Sequence, residues 1–161
     1  MSGPHLAAWR APHEAETVDA LGAAYRYRAV GDDTSNAFSI FEVTAPEGFA
    51  APMHLHDNEA EAFYILSGTV TLFLAGQEHT SGTGGFGLAP VGLSHSFRLD
   101  SADARLLLLI TPGNSGHEAL FRDLAAAVPN DSVPDFALIA SIAGSHGTRV
   151  VGPPPGAAKR A

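Results

Sequence analysis

Seventeen glycines and eleven prolines punctuate this 161-residue chain, and most of them fall between short apolar runs. That pattern reads as short strands joined by turns. Strands are expected at residues 24–30, 37–44, 53–56, 61–66, 69–74, 77–80, 86–89, 94–99 and 105–111. Ser67-Gly68 supplies a tight turn that would join 61–66 and 69–74 as a hairpin, and Ala75-Gly76 supplies the next one. After Pro112-Gly113 the period changes. Residues 117–127 (HEALFRDLAAA) have helical spacing, with Leu120, Leu124 and Ala127 on one face. Ser115 and Glu118 fit a capping box at the start of that helix. Residues 135–143 read as a second short helix stopped by Gly144, and the proline-rich segment from 147 to 161 reads as a flexible end. Strands followed by two helices imply an all-β antiparallel barrel or sandwich with a helical appendix.

The length suits one domain with a sizeable core. Hydrophobic residues make up 45% and charged residues 16%, which is the composition of a packed globule and excludes a disordered chain. Nine Lys and Arg against 17 Asp and Glu leave a net charge of −8, so phosphate is repelled and neither nucleic acid nor an anionic membrane is an expected partner. With no cysteine there is no disulfide, thiolate metal site or Cys nucleophile. The first ten residues lack the pattern of a secretory signal, and the run Leu106 to Ile110 falls far short of the ~20 residues a membrane helix needs. A cytoplasmic location is the expectation.

Eight histidines stand out in so acidic a chain. His54 and His56 are one residue apart, and on a strand residues i and i+2 share a face. Glu61 opens the next strand after a short bend through residues 57–60, and His95 opens another strand beyond the Pro90-Val91-Gly92 turn. Converging at strand ends, three imidazoles and a carboxylate would hold a divalent transition metal. Glu59 competes with Glu61 as the carboxylate. A His-x-His pair alone is a weak signal, and a lone His95 or Glu61 is ordinarily a half-buried or solvated surface group. His5, His13, His79, His117 and His146 have no partner at ligand spacing.

The stretch from Gly48 through His54, His56 and Glu61 to Gly68 resembles the first cupin motif, G-x5-H-x-H-x4-E-x6-G. The stretch from Gly84 through Pro90 and Gly92 to His95 resembles the second, G-x5-P-x-G-x2-H. Leu99 replaces the asparagine that usually follows, a position outside the ligand set. The segments around Phe38, Glu61 and Thr111-Pro-Gly are most similar to those of quercetin 2,3-dioxygenase-like cupins.

The resemblance implies a cupin-type jelly-roll barrel over residues 24–112, preceded by a segment (1–23) that packs on the barrel or a partner subunit and followed by C-terminal helices over 113–146. It implies one divalent metal ion per chain (Fe, Ni, Mn, Co, Cu or Zn), held by His54, His56, Glu61 and His95, with Glu61 as general base. By strand alternation, Phe63 and Ile65 share the face of Glu61, and Phe97 and Leu99 that of His95, so these four are expected to line the substrate pocket. Phe38, Phe41, Phe73 and Phe86 are expected in the core. The activity implied is a dioxygenase acting on a flavonol-like or other enolic aromatic small molecule, with dioxygen as co-substrate and a homodimer as the assembly. The alternatives are a cupin isomerase, cyclase or decarboxylase that uses the same metal without oxygen, and a binding module without turnover.

Overall fold

The computed structural model describes residues 7–156. Eleven strands and three helices follow one another: β1 (Thr17–Ala20), β2 (Ala23–Ala29), α1 (Gly31–Thr34), β3 (Ser39–Thr44), β4 (Met53–His56), β5 (Ala60–Ser67), β6 (Val70–Leu74), β7 (Gln77–Ser81), β8 (Phe86–Ala89), β9 (His95–Leu99), β10 (Arg105–Thr111), α2 (His117–Ala127), α3 (Phe136–Ser145) and β11 (Thr148–Gly152). The strands form two antiparallel sheets, ordered β1-β2-β3-β10-β5-β8 and β11-β4-β9-β6-β7. This is the expected jelly roll, with short helices after the barrel. No helix among the described residues is long and apolar enough to cross a membrane.

Alternation builds the core between the sheets. In β10, Leu106, Leu108 and Ile110 point inward, while Arg105 and Thr111 stay exposed. Phe41 and Val43 of β3, Phe63 and Ile65 of β5, and Val70 and Leu72 of β6 meet them, all buried. Burial of each such side chain is worth about 1.5–3 kcal/mol. Phe73 is buried on the opposite face of β6, beneath the Arg98 guanidinium and outside the core cluster, and Phe38 is only half-buried ahead of β3, but Phe41 is in this interior as expected. Phe86 is not: it is 67% exposed on the outer face of the edge strand β8, because the inward positions there are Gly87 and Ala89.

Three connections differ from the sequence expectation. Residues 61–66 and 69–74 do not pair with each other. β5 pairs with β10 and β8, and β6 pairs with β7 and β9, so Ser67-Gly68-Thr69 is a corner between the sheets. Gly68 has φ +71°, and a Cβ there would lie 2.5 Å from the Ala104 Cα, so a side chain is excluded by both conformation and space. A short turn is common to hairpins and corners, and only the hydrogen-bond partners distinguish them.

The flexible end is corrected too. Thr148–Gly152 is strand β11, paired antiparallel with β4, with Thr148 opposite His56 and Val150 opposite His54. At the other end, Thr17–Ala20 is edge strand β1 of the six-stranded sheet, paired with β2, so the sheet begins before residue 24. The calls on residues 1–6 and 157–161 lie outside the described residues.

The helices close one end of the barrel. α2 buries His117, Leu120, Phe121 and Leu124, whereas Ala127 is exposed. The capping box is absent: Gly116 is the N-cap, Ser115 Oγ donates to the Glu59 carboxylate and to the Pro112 carbonyl, and the Glu118 carboxylate accepts from Gly31 N–H and Ser39 Oγ. These side chains had stronger partners across the fold than along the helix. Tyr27 Oη donates to the Glu118 carbonyl at 2.7 Å, and Phe121 stacks on Tyr25 with ring centroids 3.8 Å apart. Such an aromatic pair adds about 0.5–1.5 kcal/mol beyond its buried area. α3 starts at Asp135, whose carboxylate accepts from Ala137 and Leu138 N–H.

Candidate metal centre

Register brings the histidines together. His54 of β4 is the Cα partner of His95 of β9, and their ring centroids stand 4.5 Å apart. His56, two residues along β4, shares the inward face, with its ring 4.9 Å from His54 and 5.1 Å from His95. Glu61 enters from β5 in the opposite sheet. The β8–β9 turn is tied to β4 by Gly92 N–H donating to the His56 carbonyl at 2.8 Å, which sets where His95 begins its strand.

All three rings aim Nε2 at one carboxylate oxygen. Glu61 Oε2 lies 2.9 Å from His56 Nε2, 2.8 Å from His95 Nε2 and 3.7 Å from His54 Nε2. The opposite nitrogens are held from behind: His54 Nδ1 by the Pro52 carbonyl at 2.7 Å, His95 Nδ1 by the Leu93 carbonyl at 2.7 Å, and His56 Nδ1 by Thr148 Oγ1 at 2.9 Å. A carbonyl only accepts, so in His54 and His95 the proton is on Nδ1. In the neutral form these rings would turn lone pairs toward a carboxylate that is itself an acceptor. Burying acceptors face to face is unfavourable unless a proton or cation stands between them. The donor set fits a transition metal on that chemistry, and the backing contacts are of the kind that orient metal-bound imidazoles.

The electrostatics of the cluster follow from the same contacts. Burial favours the neutral form of Glu61, but the surrounding imidazoles outweigh it and hold the carboxyl well below its ordinary range. Burial also disfavours a charged His95, and its contact with Glu61 outweighs this and raises its pKa. For His56 burial prevails, and its pKa falls to about 4.

Behind His56 lies a second buried group that sequence spacing missed. His117 Nδ1 donates to the Glu59 carboxylate, and Glu59 Oε2 stands 3.8 Å from His56 Nδ1. The His117 ring is 4.5 Å from that of His56. His117 thus has a partner after all, and Glu59 belongs to this pair rather than to the four-residue cluster. The separation of 58 residues hid the contact; the sole signal was a histidine at the first position of an otherwise apolar helical face. Among the other histidines, His146 bonds Asp123 and His13 and His79 are exposed.

A half-open cavity of about 70 Å³ lies over the cluster. Its floor is His54, His56, Glu61 and Phe97, and its roof comes from α2 and α3 through Leu120, Phe121, Leu124 and Ile139. Of the four expected lining residues, Phe97 alone faces it. Phe63, Ile65 and Leu99 are buried in the core, Phe63 packing edge-on against the His95 ring at 5.8 Å. Strand alternation placed them inward correctly, but the apolar lining of the cavity comes from α2 and α3 together with Tyr25, Leu108 and Val150 of other strands.

A jelly roll carrying three imidazoles and one carboxylate at its closed-over mouth defines the class, and residues 40–111 match the family described as Cupin domain. Over that span, less than half of its length, the chain is similar in sequence to cupin domains. Its sequence is similar to quercetin 2,3-dioxygenase of Bacillus subtilis (strain 168), at 32% identity over 89 residues covering 55% of this chain and 26% of the relative. It is also similar to quercetin 2,3-dioxygenase of Aspergillus japonicus, at 29% identity over 104 residues, 60% of this chain and 29% of the relative. The chain spans less than a third of the length of these enzymes. In fold it is similar to KdgF from Halomonas sp., with a TM-score of 0.61 over 66% of this chain and 94% of that one at 18% identity.

Proposed function

We propose that this protein is a metal-dependent enzyme, a dioxygenase acting on a flavonol-like or other enolic aromatic substrate. The observation that carries the reading is the convergence of three imidazole Nε2 atoms on Glu61 beneath an apolar cavity; the similarity to two quercetin 2,3-dioxygenases supports the choice of substrate. His54, His56, His95 and Glu61 would hold one divalent ion, iron, nickel, manganese, cobalt, copper or zinc. When bound, that ion supplies Lewis acidity and, where redox-active, a path for electrons from the substrate to dioxygen.

Glu61 accepts the proton of the substrate's enolic hydroxyl at Oε2, the work of a general base. Its position deep among the rings lets it reach a hydroxyl seated over the cluster. The three backed imidazoles keep the donor atoms aimed without rearrangement. Leu120, Phe121, Leu124 and Ile139 exclude water from the reacting centre. Pockets that engulf drug-sized ligands run to about 300–1,000 Å³, so a three-ring flavonol requires α2 and α3 to move outward. A smaller enolic ring demands less displacement.

The assembly we propose is a homodimer. Tyr64, Phe86 and Leu88 lie on the outer face of β5 and β8, 46%, 67% and 49% exposed, and a second copy would cover them. Light scattering of the wild type and of Phe86→Lys tests this; a monomeric wild type ends the proposal.

The activity is tested by loading the protein with each metal in turn and measuring oxygen uptake with flavonols. Oxygen-dependent consumption of the flavonol, abolished by Glu61→Gln, supports the reading. Turnover without oxygen uptake replaces it with an isomerase, cyclase or decarboxylase, and ligand binding without turnover with a binding module.

A further inference from the structure

Two polar atoms at the cavity serve neither the fold nor the four-residue cluster. The first is the hydroxyl of Tyr25. The side chain is 6% exposed and lines the cavity, and among the described residues its Oη makes no hydrogen bond. Tyr27, two residues along the same strand, spends its hydroxyl on the Glu118 carbonyl. Every fully enclosed side-chain nitrogen or oxygen among the described residues has a partner. The Tyr25 hydroxyl is therefore not enclosed, and it opens on the space that its ring lines.

The second is His117 Nε2. The Glu59 carboxylate accepts the Nδ1 proton, and Ser115 Oγ fixes the other carboxylate oxygen. The ring is locked in one orientation. It is buried and lines the cavity, and its Nε2 has no protein partner among the described residues. A histidine anchored this firmly at one nitrogen and open at the other is preorganised to meet a ligand atom.

These groups belong to one wall. Rings run from the cluster outward: His56 to His117 at 4.5 Å, His117 to Phe121 at 5.5 Å, Phe121 to Tyr25 at 3.8 Å. Tyr25 also lines a neighbouring cavity of about 130 Å³, shared through Leu21, Ala51, Pro52 and Ile139. It stands where the two spaces meet.

We propose that His117 Nε2 and Tyr25 Oη are two polar points along this wall, each able to take an oxygen substituent of the substrate other than the one that faces Glu61. This rests on the reading of the cavity as the substrate pocket. It narrows the substrate to enolic rings bearing at least one further hydroxyl or carbonyl, extended along the wall toward the second cavity.

The test is binding without turnover, on protein loaded with redox-inert zinc. Two probe pairs are titrated: 3-hydroxyflavone with its hydroxylated relative kaempferol, and 3-hydroxy-4-pyranone with kojic acid. Wild type is expected to favour the more hydroxylated member of at least one pair by about five- to tenfold, the size of one hydrogen bond. Tyr25→Phe removes an oxygen that bonds nothing in the fold, so its melting temperature holds while the preference shrinks to within about twofold. His117→Leu removes one of the two donors of the buried Glu59 carboxylate and puts folding at risk, so Tyr25→Phe decides. A preference in neither pair, or one that survives Tyr25→Phe intact, overturns the proposal. A preference within the pyranones alone, lost in Tyr25→Phe, upholds the proposal and overturns the flavonol reading; binding of none of the four overturns both.

Discussion

Glu59 and Glu61 are one residue apart and address opposite nitrogens of the same imidazole. Glu61 Oε2 lies 2.9 Å from His56 Nε2, and Glu59 Oε2 lies 3.8 Å from His56 Nδ1. One carboxylate joins the candidate metal centre; the other pins α2 through His117 and Ser115. Two identical side chains thus divide a structural and a chemical task around one ring.

That division separates two substitutions. Glu61→Gln is expected to lose most of the bound metal, because a neutral amide cannot balance the cation's charge. Glu59→Gln is expected to keep the metal but to lower stability by about 1–3 kcal/mol, the cost of weakening a buried charged hydrogen bond. Elemental analysis and urea denaturation of both variants check the assignment.

His54 is the most accessible of the four donors, its side chain 13% exposed at the edge of the cavity. His54→Ala should therefore abolish tight metal binding and leave the barrel folded. Full metal content in that variant, measured on folded protein by circular dichroism and elemental analysis, would mean that another set of donors holds the ion.

Thr148 belongs to the C-terminal strand β11, and its hydroxyl meets His56 Nδ1 at 2.9 Å. Thr148→Val keeps the shape and removes that contact. Metal affinity is expected to fall about 10–100-fold, the usual loss when the group behind a histidine ligand is removed. Competition with a chromogenic chelator reads the change directly.

Gly68 turns the chain from one sheet to the other. Gly68→Ala sets a Cβ 2.5 Å from Ala104 Cα and Ser101 Oγ at φ +71°, and we expect a loss of about 2–4 kcal/mol or failure to fold. A thermal melt within one degree of wild type would show that the corner is looser than described.

Metal and fold should be linked thermodynamically. Zinc at about 100 times its Kd stabilises the native state by about 2.7 kcal/mol, which for a domain of this size raises the melting temperature by roughly 5–10 °C. EDTA should reverse the shift in wild type and have no effect on Glu61→Gln.

Much of this was legible from local pattern. Short apolar runs bounded by glycine and proline turns marked most strands, and the motif-like stretches from Gly48 to Gly68 and from Gly84 to His95 pointed to the jelly roll, whereas β10 is a continuous apolar run whose inward face only the structure separates. The His54-x-His56 pair was legible because residues i and i+2 of a strand share a face, while Glu61 and His95 were singled out through the resemblance to the two motifs. The Ser67-Gly68 corner and strand β11 were misread, since a turn does not announce its partners and a short polar strand carries little apolar period of its own.

What the sequence determined by itself was most of the strands and the same-face candidate donors His54 and His56, because both depend on spacing along a few residues. What only tertiary structure decided was the company those donors keep. The roof of Leu120, Phe121 and Ile139, the Glu59–His117 pair and the free hydroxyl of Tyr25 arise where the C-terminal helices meet strands distant from them in the chain. Contacts between segments so far apart in the chain are selected by packing and polar satisfaction in three dimensions, and neither leaves a periodic trace in one.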